Sequence, residues 1–328
     1  MPGVFLTGAT GFVGGELARR LLARGHAVHA LAREGADRSA LAGLDVVWHA
    51  GDLLERAALE RGIAAVGPGA WVAHVAALIS YRTRDAELQR RVNVEGTRRV
   101  LEACRRLPVA RVLHMSSVVT VADSPDGRER DEEAGFNGAR LGVDYVATKR
   151  EAEELALAAD DLDVVVVNPG AIFGPNPRGG NTVRFLRRLA AGRTGPLAPP
   201  GSLSVVGVGD VAEGSILALE RGRRGRRYLL VESAHPTLRV FALAARLLGV
   251  RPPRAAVPRP LWELAIAAAG AVDRVRAADL LTPQTLRMLG VHYLLSGGRA
   301  RRELGWTPTA FEDVLRATIE DLRARGAV

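Results

Sequence analysis

Apolar residues follow two rhythms over the first half of the chain. Short runs at 4–7, 27–32, 45–50, 71–75, 111–115 and 164–168 are dense in Val, Leu and Ala. Longer stretches at about 12–24, 54–65, 85–106 and 144–159 place apolar residues every three or four positions. The first rhythm is that of buried strands, the second that of helices with one apolar face. The four consecutive valines at 164–167 mark a strand covered on both sides. Strands alternating with helices of this length predict right-handed βαβ units and a parallel sheet.

After Asn168 the rhythm changes. Pro and Gly thicken at 169–180 and 195–201, and helical spacing then dominates at about 182–191, 211–221, 237–248, 260–269 and 311–325. Strand candidates remain at 203–206 and 227–231. The expected fold is α/β: a Rossmann-type doubly wound parallel sheet with a smaller, mainly helical C-terminal substrate lobe. Residues 1–168, rejoined by about 203–222, are expected to form a dinucleotide-binding domain. Residues 169–202 and 223–328 are expected to form the substrate lobe.

The glycines of the first strand–helix turn say what that sheet is for. Thr7-Gly8-Ala9-Thr10-Gly11-Phe12-Val13-Gly14 has the Gly-x-x-Gly-x-x-Gly spacing. Gly8 permits a tight turn, Gly11 lets the backbone approach a pyrophosphate, and Gly14 permits close helix–sheet packing. The helix start, through Thr10, Phe12 and Val13, presents free N–H groups to the phosphates. Beyond the second strand an acidic residue would read a ribose hydroxyl, whereas this chain has Arg33, with Arg38 five residues on. An arginine there suits the 2′-phosphate of NADP(H), with NAD(H) as the alternative. Asp52 and Leu53 follow the third strand and are expected near the adenine, though helix capping is an equal use for Asp52.

Composition sharpens one position. Lys and Arg total 45, yet only Lys149 is a lysine. Where charge alone is needed the chain uses arginine, so a lone lysine suggests a site needing a compact ammonium. It lies four residues after Tyr145, one helical turn, so the two side chains point the same way. A cation so placed lowers a phenol's pKa and lets tyrosine exchange a proton.

The other bulk features narrow the partners. The net charge of +9 is spread over nearly every helix rather than gathered on one face, which argues against nucleic acid. The single cysteine, Cys104, is read as a buried inert thiol and fits a reducing, cytoplasmic setting. The opening residues show no basic stretch followed by an apolar core, so no signal segment is expected. The apolar stretch at 261–272 contains Glu263, is too short to span a bilayer, and is read as a buried or groove-lining helix rather than a membrane element. No His/Cys cluster has metal-ligand spacing, so no metal is expected. His74, ending a strand, is read as a core histidine.

Taken together these motifs resemble the extended short-chain dehydrogenase/reductases, the NAD-dependent epimerase/dehydratase superfamily. Besides the glycine turn and Tyr145–Lys149, the resemblance rests on Gly51-Asp52-Leu53, His74-Val75-Ala76-Ala77, Val92-Asn93-Val94-Glu95-Gly96-Thr97, Ser116-Ser117, Asn168-Pro169-Gly170 and Leu304-Gly305-Trp306. Arg33 and the stretch Ala76–Tyr81 bring it nearest to bacterial proteins similar to dihydroflavonol 4-reductase. The resemblance implies that Tyr145 is the general acid/base and that Lys149 lowers its pKa and holds the nicotinamide ribose. Ser117 would bond the reacting oxygen, with Ser116 as the alternative. Asn93 would support the site through water to Lys149, and Ala76, Ala77, Pro169 and Gly170 would line the cofactor. Val146 and Thr148 depart from the family's usual Gly and Ser, and Val118–Val121 lacks the Tyr-Gly frequent in sugar-nucleotide epimerases. Asn176, Arg178, Asn181 and Arg184 are candidates to grip a diphosphate.

The expected function is NADP(H)-dependent reduction of a small molecule's carbonyl, or oxidation of the alcohol. A nucleotide-sugar epimerase or dehydratase with retained NAD is the alternative, and a non-enzymatic dinucleotide sensor the third. The two long helices at 85–106 and 144–159 offer a face for a homodimer.

Overall fold

A computed structural model describes residues 1–176, 180–275 and 282–328. The first half alternates as expected: β1 (Val4–Thr7), α1 (Phe12–Ala23), β2 (Val28–Ala32), β3 (Val46–Ala50), α2 (Arg56–Val66) and β4 (Ala70–His74). Then come α3 (Ala86–Arg90), α4 (Gly96–Arg105), β5 (Val109–Met115), α5 (Asp144–Leu157) and β6 (Val164–Pro169). The single long helix expected at 85–106 is broken by a π turn, Arg91–Glu95, with Asn93 at its centre. Such turns widen the helix by one residue and cluster at functional sites.

The rest is β7 (Ala171–Phe173), α6 (Asn181–Ala190), β8 (Leu197–Ala198), β9 (Ser202–Gly207), α7 (Val208–Arg221), β10 (Arg227–Leu230), β11 (Ser233–Pro236), α8 (Thr237–Leu248), β12 (Ala255–Ala256), α9 (Arg259–Val275), α10 (Pro283–Leu289) and α11 (Phe311–Ala324). The large sheet runs β10-β6-β5-β4-β1-β2-β3, with every pair parallel. The order reverses between β1 and β4, the place where open α/β sheets bind ligands outside the carboxyl ends of their strands.

β6 shows why the sheet is covered twice. Val165 and Val167 join Leu17 and Leu21 of α1 and Ile216 of α7 in one core layer. Val164 and Val166 join Leu59 of α2 and Val100 and Cys104 of α4 in the other. Successive side chains point to opposite faces, so an unbroken apolar strand fills both layers. The Cys104 thiol is buried, and that burial pushes its pKa up to about 12, so it stays an inert thiol.

One expectation about the second half needs correction: β10, placed by the sequence in the substrate lobe, completes the large sheet beside β6. The lobe is mainly helical, as expected, and is built on a few short strands. β7, β9 and β11 form a small mixed sheet, and α6, α8 and α11 pack on it around Phe173, Leu186, Val205, Phe241 and Leu315. β9 runs straight into α7, which covers the large sheet against α1, so the chain crosses between the two units at Gly207–Val208.

Candidate active site

The glycine turn is built for close approach. Gly8 has φ +81°, and a Cβ there would stand 2.7 Å from the backbone nitrogen of Ala76. A Cβ on Gly14 would stand 2.1 Å from the Gly8 carbonyl oxygen, and one on Gly11 3.1 Å from it. These contacts pull α1 onto the end of β1. Gly11 caps α1 without a side-chain hydrogen bond, and no acidic residue lies in the first turn. The first N–H groups of the helix therefore face outward at its positive end, the arrangement that accepts a phosphate. The residues present fit a dinucleotide.

Other cofactor candidates sit around the same strand ends. Arg33 follows β2 and is exposed, with no ion pair among the described residues. Arg38 instead stacks over the Trp48 ring at 4.9 Å. Asp52 Oδ1 accepts from Leu54 N at 2.9 Å, closing a local turn, and Leu53 is buried against Gly96. Ala76 and Ala77 follow β4, and Ala76 N donates to Thr7 Oγ1 at 3.3 Å. Pro169 ends β6, and a Cβ on Gly170 would meet the Ser204 carbonyl oxygen at 2.4 Å. Asn176 lies with Gly11 and Phe12 in a groove closed by Pro175 and Val208. Asn181 and Arg184 pair with each other on the exposed start of α6. Arg178 lies outside the described residues.

Helix α5 carries the chemistry on one face. Tyr145 and Lys149 are one turn apart and both buried. Ser117 stands beside the Tyr145 phenol and favours its ionised form, and its side chain also caps the short turn after β5. Ser116 turns away toward Thr120 Oγ1 at 3.4 Å. The structure thus separates two serines that the sequence could not. The Tyr81 ring meets Tyr145 edge-on at 5.8 Å.

Burial holds the Tyr145 pKa above its usual value, with only Ser117 opposing it. Lys149 does not offset that burial; its Nζ donates to the Met115 carbonyl oxygen at 2.7 Å. Burial lowers the ammonium's own pKa to about 8, and the negative charge of Glu153 works against that shift.

Asn93 sits in the π turn facing the segment after β4. Its Oδ1 accepts from Leu78 N at 2.8 Å, and its Nδ2 donates to Leu78 O at 3.0 Å and to Thr148 Oγ1 at 3.2 Å. It clamps the segment after Ala76–Ala77 to helix α5. His74 is a core histidine, as expected. Thr97 Oγ1 donates to Asn93 O at 2.6 Å, so it accepts from His74 Nε2 at 3.1 Å, and His74 Nδ1 accepts from Thr7 Oγ1 at 2.8 Å. That chain fixes a neutral imidazole by assignment of donors. Burial agrees, lowering its pKa to about 3.

Sequence reasoning missed the polar layer behind Lys149. Glu153, fully buried and one further turn along α5, accepts from Thr120 Oγ1 at 2.5 Å and Asn168 Nδ2 at 2.6 Å. It pairs with Arg227 of β10 at 3.2 Å, and Arg227 also donates twice to Glu132 O. Asn168 reaches Ser117 O at 3.1 Å, which ties this layer to the serine. The available signal was the spacing Tyr145, Lys149, Glu153, a single helical stripe of ionisable groups.

The model of the NAD-dependent epimerase/dehydratase family matches residues 4–230. The chain belongs to that family. The match spans β1 through β10 and so includes both the glycine turn and the α5 stripe. Among relatives of this family, sterol demethylase protein B of Methylococcus capsulatus is 34% identical over 98% of this chain and 99% of its own length. A Synechocystis protein provisionally named dihydroflavonol 4-reductase is 31% identical over 99% of this chain and 95% of its own. The crystal structure of gox2253 superposes with a TM-score of 0.87 at 30% identity, covering 100% of both chains. The resemblance seen in the motifs is therefore that of an epimerase/dehydratase-family oxidoreductase with a dinucleotide-binding fold.

Proposed function

We propose that this protein reduces the carbonyl group of a small molecule with NADPH, or oxidises the corresponding alcohol, with Tyr145 exchanging the proton. The observation that carries this reading is Ser117 beside the Tyr145 phenol with Lys149 one turn along, at the carboxyl ends of the sheet strands. The dinucleotide, when bound, supplies or receives the hydride. Gly8, Thr10, Gly11, Phe12, Val13 and Gly14 hold its pyrophosphate, and Asp52 and Leu53 its adenine. Ala76, Ala77, Pro169 and Gly170 lie along its nicotinamide half. Lys149 spends one ammonium proton on Met115 O and keeps two for the ribose hydroxyls.

Ser117 holds the reacting oxygen beside the phenol, which gives its proton to a carbonyl oxygen in reduction or takes one from an alcohol in oxidation.

Arg33 carries the choice of NADP(H), because an exposed guanidinium at the end of β2 offers a bidentate partner to a 2′-phosphate. Fluorescence titration with NADPH and NADH, on the wild type and on Arg33→Ala, tests this. NADPH should bind more tightly, and the variant should weaken NADPH by about tenfold or more while leaving NADH unchanged. A preference for NADH that Arg33→Ala leaves intact overturns it. The family match then favours the second reading, a nucleotide-sugar epimerase or dehydratase that retains NAD and shows no net cofactor turnover.

A further inference from the structure

The apolar stretch at 261–272 was expected to be a buried or groove-lining helix and not a membrane element; α9 buries only one side. Trp262 is buried, and its Nε1 donates to Leu286 O of α10 at 3.1 Å. Pro260, Leu261, Leu264, Ala268 and Val272 recur at three- and four-residue steps and make one stripe on the opposite side. Leu261, Leu264 and Val272 are 56%, 66% and 55% exposed. A stripe of large aliphatic groups left in water marks a surface that something covers.

Charge selects the occupant. Arg251 and Arg254 lie exposed just ahead of α9 and make no ion pair among the described residues. Arg259 opens the helix, and its pair with Glu263 leaves the local balance positive. The whole chain carries +9. A second copy would bring the same arginines face to face, whereas an anionic lipid surface supplies the countercharge. No helix among the described residues is long and apolar enough to cross a membrane, so an apolar face of this kind would lie in the interface plane.

We propose that the outer face of α9 docks on an anionic lipid bilayer, with Leu261, Leu264 and Val272 entering the headgroup boundary and Arg251 and Arg254 meeting the lipid charge. The position is next to the candidate active site. α10, on which α9 rests, donates from Thr282 Oγ1 to Tyr81 O at 2.6 Å and from Gln284 Nε2 to Asp144 Oδ2 at 2.6 Å. Asp144 opens the helix of Tyr145, and Tyr81 packs on the phenol. Ile79, two residues before Tyr81, is itself 54% exposed. If the preceding reading of the site holds, docking would bring that side of the site near carbonyl compounds dissolved in lipid, but the docking itself does not depend on it.

Vesicle co-sedimentation of the full chain decides the matter. Vesicles of phosphatidylcholine alone are compared with an equal mixture of phosphatidylcholine and phosphatidylglycerol, at low and high salt. The wild type should sediment with the mixed vesicles, less so at high salt, and hardly with phosphatidylcholine alone. Leu264→Glu, a change at a solvent-facing position, should reduce partitioning by about tenfold, the worth of one buried leucine. The double change Arg251→Ser with Arg254→Ser should reduce it as well. Absence of vesicle binding overturns the proposal, as does binding that Leu264→Glu leaves unchanged, which would be arginine adsorption alone. A dimer in size-exclusion chromatography that Leu264→Glu dissolves also overturns it, in favour of a second copy. Turnover of a water-soluble carbonyl by Leu264→Glu at the wild-type rate separates this test from that of the chemistry.

Discussion

Replacing Glu153 by Gln strips the charge from the polar layer behind Lys149 and keeps its shape. In the wild type both carboxylate oxygens are used: one by Thr120 and Asn168, the other by Arg227. A glutamine must turn its NH2 toward one of these donor groups, so at least one contact becomes donor against donor. Removing one member of a buried ion pair costs about 3–5 kcal/mol. Arg227 keeps its two bonds to Glu132 O and its side chain is 17% exposed, which discounts the loss to about 2–3 kcal/mol. At about 2.1 cal/mol/K per residue, 328 residues give an unfolding entropy near 0.7 kcal/mol/K, so the melting temperature should fall by about 3–4 °C. A second readout separates charge from packing. Glu153 opposes the downward shift of Lys149, so its removal should lower that pKa further below about 8. The alkaline limb of the pH–rate profile for carbonyl reduction should then move to lower pH. The double variant Glu153→Gln with Arg227→Met removes both charges and should recover part of the lost stability. An unchanged alkaline limb together with an unchanged melting temperature would refute the coupling of this layer to Lys149.

Two further outcomes follow from the same geometry. Gly14→Ala puts a methyl group 2.1 Å from the Gly8 carbonyl, a backbone atom that cannot swing aside, so α1 must lift from β1. NADPH binding by fluorescence should weaken by about a hundredfold, and Gly135→Ala, with open space around it and no left-handed backbone, should leave binding unchanged. Lys149 itself makes stability depend on pH. Its folded pKa of about 8 lies below the ordinary value of 10.5, so between those limits the unfolded chain binds more protons and stability rises with pH. Urea unfolding of the wild type relative to Lys149→Met should show a gain of up to about 3 kcal/mol across that window, and a flat difference would contradict it.

The sequence was most legible where one physical requirement set a whole segment. Four valines in a row allow only a doubly covered strand, and β6 is that strand. Three glycines at fixed spacing fit only where backbones nearly touch, and the Gly8 and Gly14 contacts bear that out. Legibility failed for elements that depend on partners distant in sequence. β7 and β11 are three and four residues long and become strands only by pairing with β9, so neither has a period of its own. β10 reads like any short apolar run, and only its hydrogen bonds to β6 reveal its sheet. Ser116 and Ser117 differ by a half-turn of strand that no local signal records. The pattern of α9 gave its apolar content but not which of its faces finds a partner: among the described residues Trp262 is its one buried side chain, with Ile266 and Ala269 half-buried. Glu153 was hidden for another reason. A charged residue on a helix is ordinarily solvated, and its burial is set by Arg227, 74 residues away.

The account turns on Tyr145 as the proton donor beside a bound dinucleotide, and the most direct measurement is turnover of Tyr145→Phe over a panel of ketones and aldehydes with NADPH. The phenylalanine variant should bind NADPH as the wild type does and lose about 10²–10⁴ of the reduction rate, the usual worth of a positioned acid. Reduction by the variant at the wild-type rate, with its NADPH affinity intact, would contradict the account at its centre.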